Sequence, residues 1–209
     1  MPRAFSVQEK VRIREALIDA AASDIPRVGF RKLSIDSLVH QVRISKGAFY
    51  LFYASKEMLI FDLLRHVQES ARRDTVALMS AKKGGRGDDI PRRLLRGLFE
   101  IFRKYPVLAE LSKPDSLLEL LRGLPPEVLD EEFESDETFF RSLFKRAVKR
   151  KLIRDIDIGV LCGIPRMVLA LELNREMIGR DRYETLKTLF ISGMARELTR
   201  GRGRGKHSS

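Results

Sequence analysis

Apolar residues recur along this chain at the spacing of an α-helix and almost nowhere at the two-residue alternation of a strand. Ile13, Ala16, Leu17, Ala20 and Ala21 follow Ser6-x-x-Glu9, a hydroxyl and a carboxylate spaced to satisfy each other's free amides at a helix start. This predicts an amphipathic first helix that closes near Pro26 and Gly29. Ile60, Leu63, Leu64, Val67 and Ala71 carry the pattern through a long helix from about Lys56 to Met79, after which Lys82 to Asp89, holding three glycines, reads as a loop. Further stripes are Leu94/Leu95/Leu98/Phe102, Phe139/Phe140/Leu143/Phe144/Ala147/Val148 and Leu186/Leu189/Phe190/Gly193/Met194. Pro106, Pro114, Pro125 and Pro126 divide the stretch between the first two of these into short helices. The acidic run Glu127 to Glu137 suits the early turns of the helix that follows, where the macrodipole favours negative charge. The pattern predicts an all-α chain.

Two segments stand out. Between Asp157, a good N-cap, and Ile178 apolar residues fall on nearly every side of the helix. A helix apolar all round is buried all round, so its second face is expected against another subunit. The stripe Leu186 to Met194 would join it in a four-helix interface about a two-fold axis. The expected interface residues are Leu161, Val168, Leu186, Leu189, Phe190 and Met194, with Gly159, Gly163 and Gly193 allowing close approach or simply tolerated. Pro165 should bend this helix. Arg166 and Glu172, charged in apolar surroundings, are weak candidates to orient a ligand; facing a partner or reaching to water is the commoner role for such residues.

Residues 34–56 form the other. Ser34 caps a short helix that turns Leu38 and Val39 inward, a tight turn falls around Val42 to Ile44, and Ser45 caps a second short helix with Lys46 in its first turn. These are the proportions of a helix-turn-helix. Phe49 and Phe52/Tyr53 share one face, leaving Lys46, Gly47, Ala48, Tyr50 and Leu51 for the other.

Composition narrows the function classes. The 209 residues carry a net charge of +11 with 44% apolar residues, enough for a core and ordinary for a globular chain. The excess lies at the ends: residues 1–56 hold +5 and residues 200–209 hold +4, while the long middle is close to balanced. That points to a polyanion-binding module at one end. The tail 200–209, glycine- and arginine-rich without an apolar anchor, is expected to be disordered. One cysteine, Cys162, and three histidines offer no metal-ligand spacing, and no glycine-rich phosphate loop occurs, so neither a metal, a cofactor nor a catalytic residue is expected. No run spans a bilayer and the N-terminus lacks a signal core, which predicts a cytoplasmic protein without a membrane partner. A helical-bundle enzyme and a non-specific basic DNA-coating protein are the competing classes.

Leu38-Val39-x-x-Val42-x-Ile44-Ser45-Lys46-Gly47-Ala48-Phe49-Tyr50-x-x-Tyr53-x-Ser55-Lys56-Glu57, preceded by Gly29-Phe30 and an Ala-rich first helix, resembles the DNA-binding signature of TetR-type (tetracycline-repressor-like) regulators. The resemblance spans about fifty residues; beyond them it is one of layout only. Arg43 stands where the family usually has Gly, Ala48 where Thr or Ser is common, and Tyr53 where Phe is usual. The resemblance implies a three-helix head (1–55) whose third helix, Lys46 to Phe52, enters the major groove, followed by an effector-binding and dimerisation bundle (56–199), with about nine helices expected. It implies a homodimeric, ligand-responsive repressor of a palindromic double-stranded DNA operator, released by a small, apolar effector; an activator or an effector-independent regulator is the alternative within that fold. Lys46, Gly47 and Ala48, with Leu51 beside them, are expected at base edges. Ser34, Arg43, Ser45, Tyr50, Tyr53 and Lys56 are expected at phosphates, although the serines could only cap, Tyr53 could be core and Lys56 could only be solvated.

Overall fold

The computed structural model describes residues 5–80 and 89–199, and among them eleven α-helices and no strand. The helices are α1 (Val7–Val28), α2 (Ile35–Val42), α3 (Lys46–Phe49), α4 (Lys56–Ser80), α5 (Asp89–Lys104), α6 (Pro106–Leu111), α7 (Pro114–Arg122), α8 (Pro126–Lys149), α9 (Ile158–Leu173), α10 (Arg175–Ile178) and α11 (Arg180–Thr199), with a 3-10 turn at Phe30–Lys32. The basic tail, most of the expected glycine loop and the side chains of most of the acidic run lie outside the described residues; Asp89 opens α5.

Local chemistry sets the helix ends. The Glu9 amide donates to Ser6 Oγ at 3.2 Å and the Ser6 amide to Glu9 Oε2 at 2.7 Å, so the predicted capping box forms. The first helix closes at Gly29, whose φ of 82° suits a residue without Cβ. Pro106, Pro114 and Pro126 each stand first in a helix, where the missing amide costs no hydrogen bond.

The chain divides into two compact units. One takes in the chain up to Glu69 together with Pro106–Leu129; the other holds Ser70–Tyr105 and the chain from Asp130 onward. This differs from the boundary near residue 55 expected from the sequence. In the first unit α1 packs on α2 and on α6, and α7 packs on α6 and on the 3-10 turn. Val107 and Leu111, four residues apart, give α6 a buried edge, and Arg31 pairs with Glu119 of α7 at 3.2 Å. Leu17, Ile25, Phe30, Leu38, Phe49 and Leu59 are fully buried there. Buried Asp24 ties α1 to α2: Arg27 donates to it at 2.6 Å and Gln41 at 2.7 Å, and these bonds hold its carboxyl below the ordinary value.

In the second unit α5 packs on α9 and α11, and α10 lies against both of those helices. Asp157 caps α9 by accepting from the Val160 amide at 3.1 Å, as predicted. The helix does not run on to Ile178, because it ends at Asn174 and the chain turns again at Gly179, φ 85°. Its two apolar faces are unequal. Leu161, Cys162, Ile164 and Val168 are buried within the protomer, whereas Val160 and Met167 are 65% and 53% exposed. Leu161 and Val168, expected at a subunit interface, therefore belong to the core of their own chain. One step of about 100° along a helix separates the two faces, and periodicity cannot rank two faces that are both apolar. Leu186 and Leu189 are exposed, as an interface reading requires, while Phe190 and Met194 are half-buried.

Candidate nucleic-acid interface

The Ser34 hydroxyl accepts from the Ser37 amide at 3.1 Å and starts α2; the Ser45 hydroxyl accepts from the Ala48 amide at 3.0 Å and starts α3. Between them Arg43 is left-handed, φ 60° and ψ 44°. With the chain so reversed, the Ile44 amide reaches Val39 O at 3.0 Å and the Arg43 amide reaches His40 O at 3.3 Å. The third helix is shorter than expected. Its α-helical part stops at Phe49, and tighter bonds from Leu51 to Ala48 O and from Phe52 to Phe49 O carry the chain on to Phe52.

This geometry sorts the sequence-derived residues. Ser34, Arg43, Ser45, Lys46, Gly47, Tyr50 and Leu51 are exposed and Ala48 is half-buried. Buried Phe49 and Phe52 anchor the opposite side, where Phe5 meets Phe52 and Tyr50 meets Phe49 edge-on. Tyr53 is not on the reading face. It is 6% exposed and its hydroxyl donates to Asp62 at 2.7 Å, so burial and that carboxylate push its pKa up. A tyrosine in place of the family's phenylalanine thus adds an internal hydrogen bond, and Tyr53 is core. Lys56 is also turned inward, with its Nζ 3.4 Å from Phe30 O, 4.5 Å from the Phe30 ring centre and 3.9 Å from Glu119. Its ammonium is thus engaged within the chain, over an aromatic ring and near a carboxylate.

Two exposed groups beside this face were missed from sequence. Lys32 precedes the Ser34 cap, and Asp36 in the first turn of α2 accepts from Lys46 Nζ at 3.0 Å. The Asp36 carboxylate raises the Lys46 pKa, mainly through that bond. Ten residues separate the pair, a spacing with no meaning on one helix; only the folded turn brings the starts of the two helices together.

The weak ligand candidates are engaged within the chain. Glu172 accepts the hydroxyl of buried Tyr183, over whose ring Arg175 lies, and Arg166 pairs with Glu137 at 3.4 Å. Burial raises the Cys162 thiol, the opposite of what an active nucleophile needs. Among the described residues no group of three or more His, Cys, Asp or Glu could hold a metal ion, and no helix is long and apolar enough to cross a membrane.

Residues 17–63 match the family model of bacterial regulatory proteins, tetR family. YdgC of Bacillus subtilis (strain 168), described as an uncharacterised HTH-type transcriptional regulator, is 26% identical over 103 residues, 49% of this chain and 52% of that protein. The chain thus spans about half the length of the curated relative it matches. A TetR-family transcriptional regulator from Pectobacterium atrosepticum has a similar fold, with a TM-score of 0.66 at 15% identity over 93% of this chain and 97% of its own. The transcriptional regulator FadR of Bacillus subtilis, solved with stearoyl-CoA, gives 0.62 at 15% over 88% and 98%. Residues 17–63 thus carry the DNA-binding signature of the tetR family of bacterial regulatory proteins, on a chain whose all-helical fold is similar along most of its length to that of solved TetR-family regulators.

Proposed function

We propose that this regulator is a homodimeric repressor whose two heads read a palindromic operator and which a small, largely apolar effector releases. The observation that carries the dimer is a set of exposed apolar side chains on two helices of the second unit. Val160 and Met167 on α9, with Leu186 and Leu189 on α11, are exposed on helices that also carry Gly163 and Gly193. A Cβ added at either glycine meets nothing within 4 Å. Such a face loses solvent-exposed apolar area when it meets a copy of itself about a two-fold axis. Val160 and Met167 take the place in the interface first expected of Leu161 and Val168.

On DNA, Lys46, Gly47 and Ala48 face base edges, with the Ala48 methyl suited to a thymine methyl; Ser34, Arg43, Ser45 and Tyr50 hold phosphates. Paired heads in this mode sit about 34–36 Å apart, one helical turn. A structural neighbour solved with stearoyl-CoA, whose acyl chain is apolar, supports an effector with a large apolar part for the same fold, and an effector shifts the equilibrium only by its differential affinity for the two forms. Selection of bound sequences from a random DNA library tests the reading. A palindrome with half-sites one turn apart is expected, and absence of any enriched sequence overturns it in favour of non-specific coating.

A further inference from the structure

The basic residues that close α8 are not all accounted for. Arg141 on that helix pairs with Glu137 at 2.8 Å, but Arg146 and Arg150, further along and four residues apart, have no carboxylate partner among the described residues. Cations suit a helix C-terminus, yet two like charges at this spacing repel. Both line a cavity of about 140 Å³ whose remaining walls are apolar: Val76 and Met79 of α4, Leu143 and Ala147 of α8, and Leu152.

The backbone is bent to complete that wall. Lys151 adopts φ 54°, a conformation that favours glycine. Its amide donates to Val148 O at 2.8 Å, and the Leu152 amide donates to Ala147 O at 2.9 Å, which folds Leu152 back against the end of the helix. A non-glycine residue in this region stores strain, and such strain gathers at ligand clamps. A half-open pocket of roughly this volume has room for a benzene-sized group. Two guanidiniums at its edge, without a carboxylate partner among the described residues, offer forked donors to a carboxylate or phosphate.

We propose that this cavity binds a small amphiphilic anion, its apolar end among Val76, Met79, Leu143, Ala147 and Leu152 and its anionic group on Arg146 and Arg150. The site stands on its own geometry; that its occupant governs DNA binding rests on the effector reading above. The full chain is titrated calorimetrically with phenylacetate and phenyl phosphate, and with phenethyl alcohol as the uncharged control. At least one anion is expected to bind about tenfold or more tightly than the alcohol, and the one preferred identifies the headgroup. Arg146→Ala/Arg150→Ala, two exposed positions in the last turn of α8 and just past its end, should melt like the parent and lose the preference for charge while still binding the alcohol. Arg146→Lys/Arg150→Lys should keep part of that preference. Equal binding of anion and alcohol, or none, overturns the site and leaves the effector reading standing. Anion binding that leaves operator affinity unchanged keeps the site and removes this ligand class from regulation.

Discussion

Asp36 places a carboxylate 3.0 Å from Lys46, the cation in the first turn of α3, so on the proposed reading approaching phosphates would meet a charge already compensated. Both side chains are exposed and the pair itself adds little to stability; its effect is on what Lys46 can touch. Asp36→Asn is expected to raise affinity for random DNA and to steepen its salt dependence by about 0.9 in log–log slope per head, one further phosphate contact. Fluorescence anisotropy across a salt series reads this, and the same substitution in a Lys46→Ala background should lose most of the gain. Arg43 holds the turn in a left-handed conformation. Arg43→Gly should raise stability in chemical denaturation by up to about 1 kcal/mol, while loss of a phosphate contact should make the slope shallower by about 0.9 per head. Asp24 sets an acid limit on the head. Bonds from Arg27 and Gln41 lower its pKa from the ordinary 3.8. Its contribution is therefore complete above that ordinary value and is lost as pH falls through the lower native one. Calorimetry should show thermal stability of the parent declining below about pH 4, and Asp24→Asn should flatten that decline.

At the scale of elements, α9 sets its buried and its exposed apolar residues one position apart. Leu161 and Val168 face inward, and Leu161→Ala should cost about 2–5 kcal/mol of stability without acting selectively on association. Met167→Glu with Leu189→Glu changes exposed positions. It should leave the protomer folded, convert the dimer to monomer in light scattering and weaken operator binding; an unchanged dimer would place the contact on another face. Helix starts were legible in the sequence because each depends on a few neighbouring atoms: Ser6 with Glu9, Ser34, Ser45, Asp157, and a proline opening each of three helices. The ends of α3 and α9 were not. The first tightens after Phe49 where Phe52 and Tyr53 are drawn into the core, and the second stops at Asn174 within a run of apolar residues that continues past it.

For the whole molecule, +11 is the long-range term and a handful of side chains is the short-range one. If a dimer neutralises about ten phosphates, the logarithm of operator affinity should fall with that of salt at a slope of roughly −9. A filter-binding series between low and physiological salt measures it, and a slope near zero would remove the electrostatic role. The sequence by itself determined the helical class, the helix-turn-helix and its capping serines, and the exposed side chains Lys46, Gly47, Tyr50 and Leu51 around buried Phe49, because these rest on residues within a few turns of one another. Tertiary structure alone decided that Tyr53 and Lys56 turn inward, that Asp36 meets Lys46, that α6 and α7 join the unit of the head, and which face of α9 is left to solvent. Each of these depends on which surfaces bury each other across distant stretches of chain, and a pattern of local spacing holds no record of that choice.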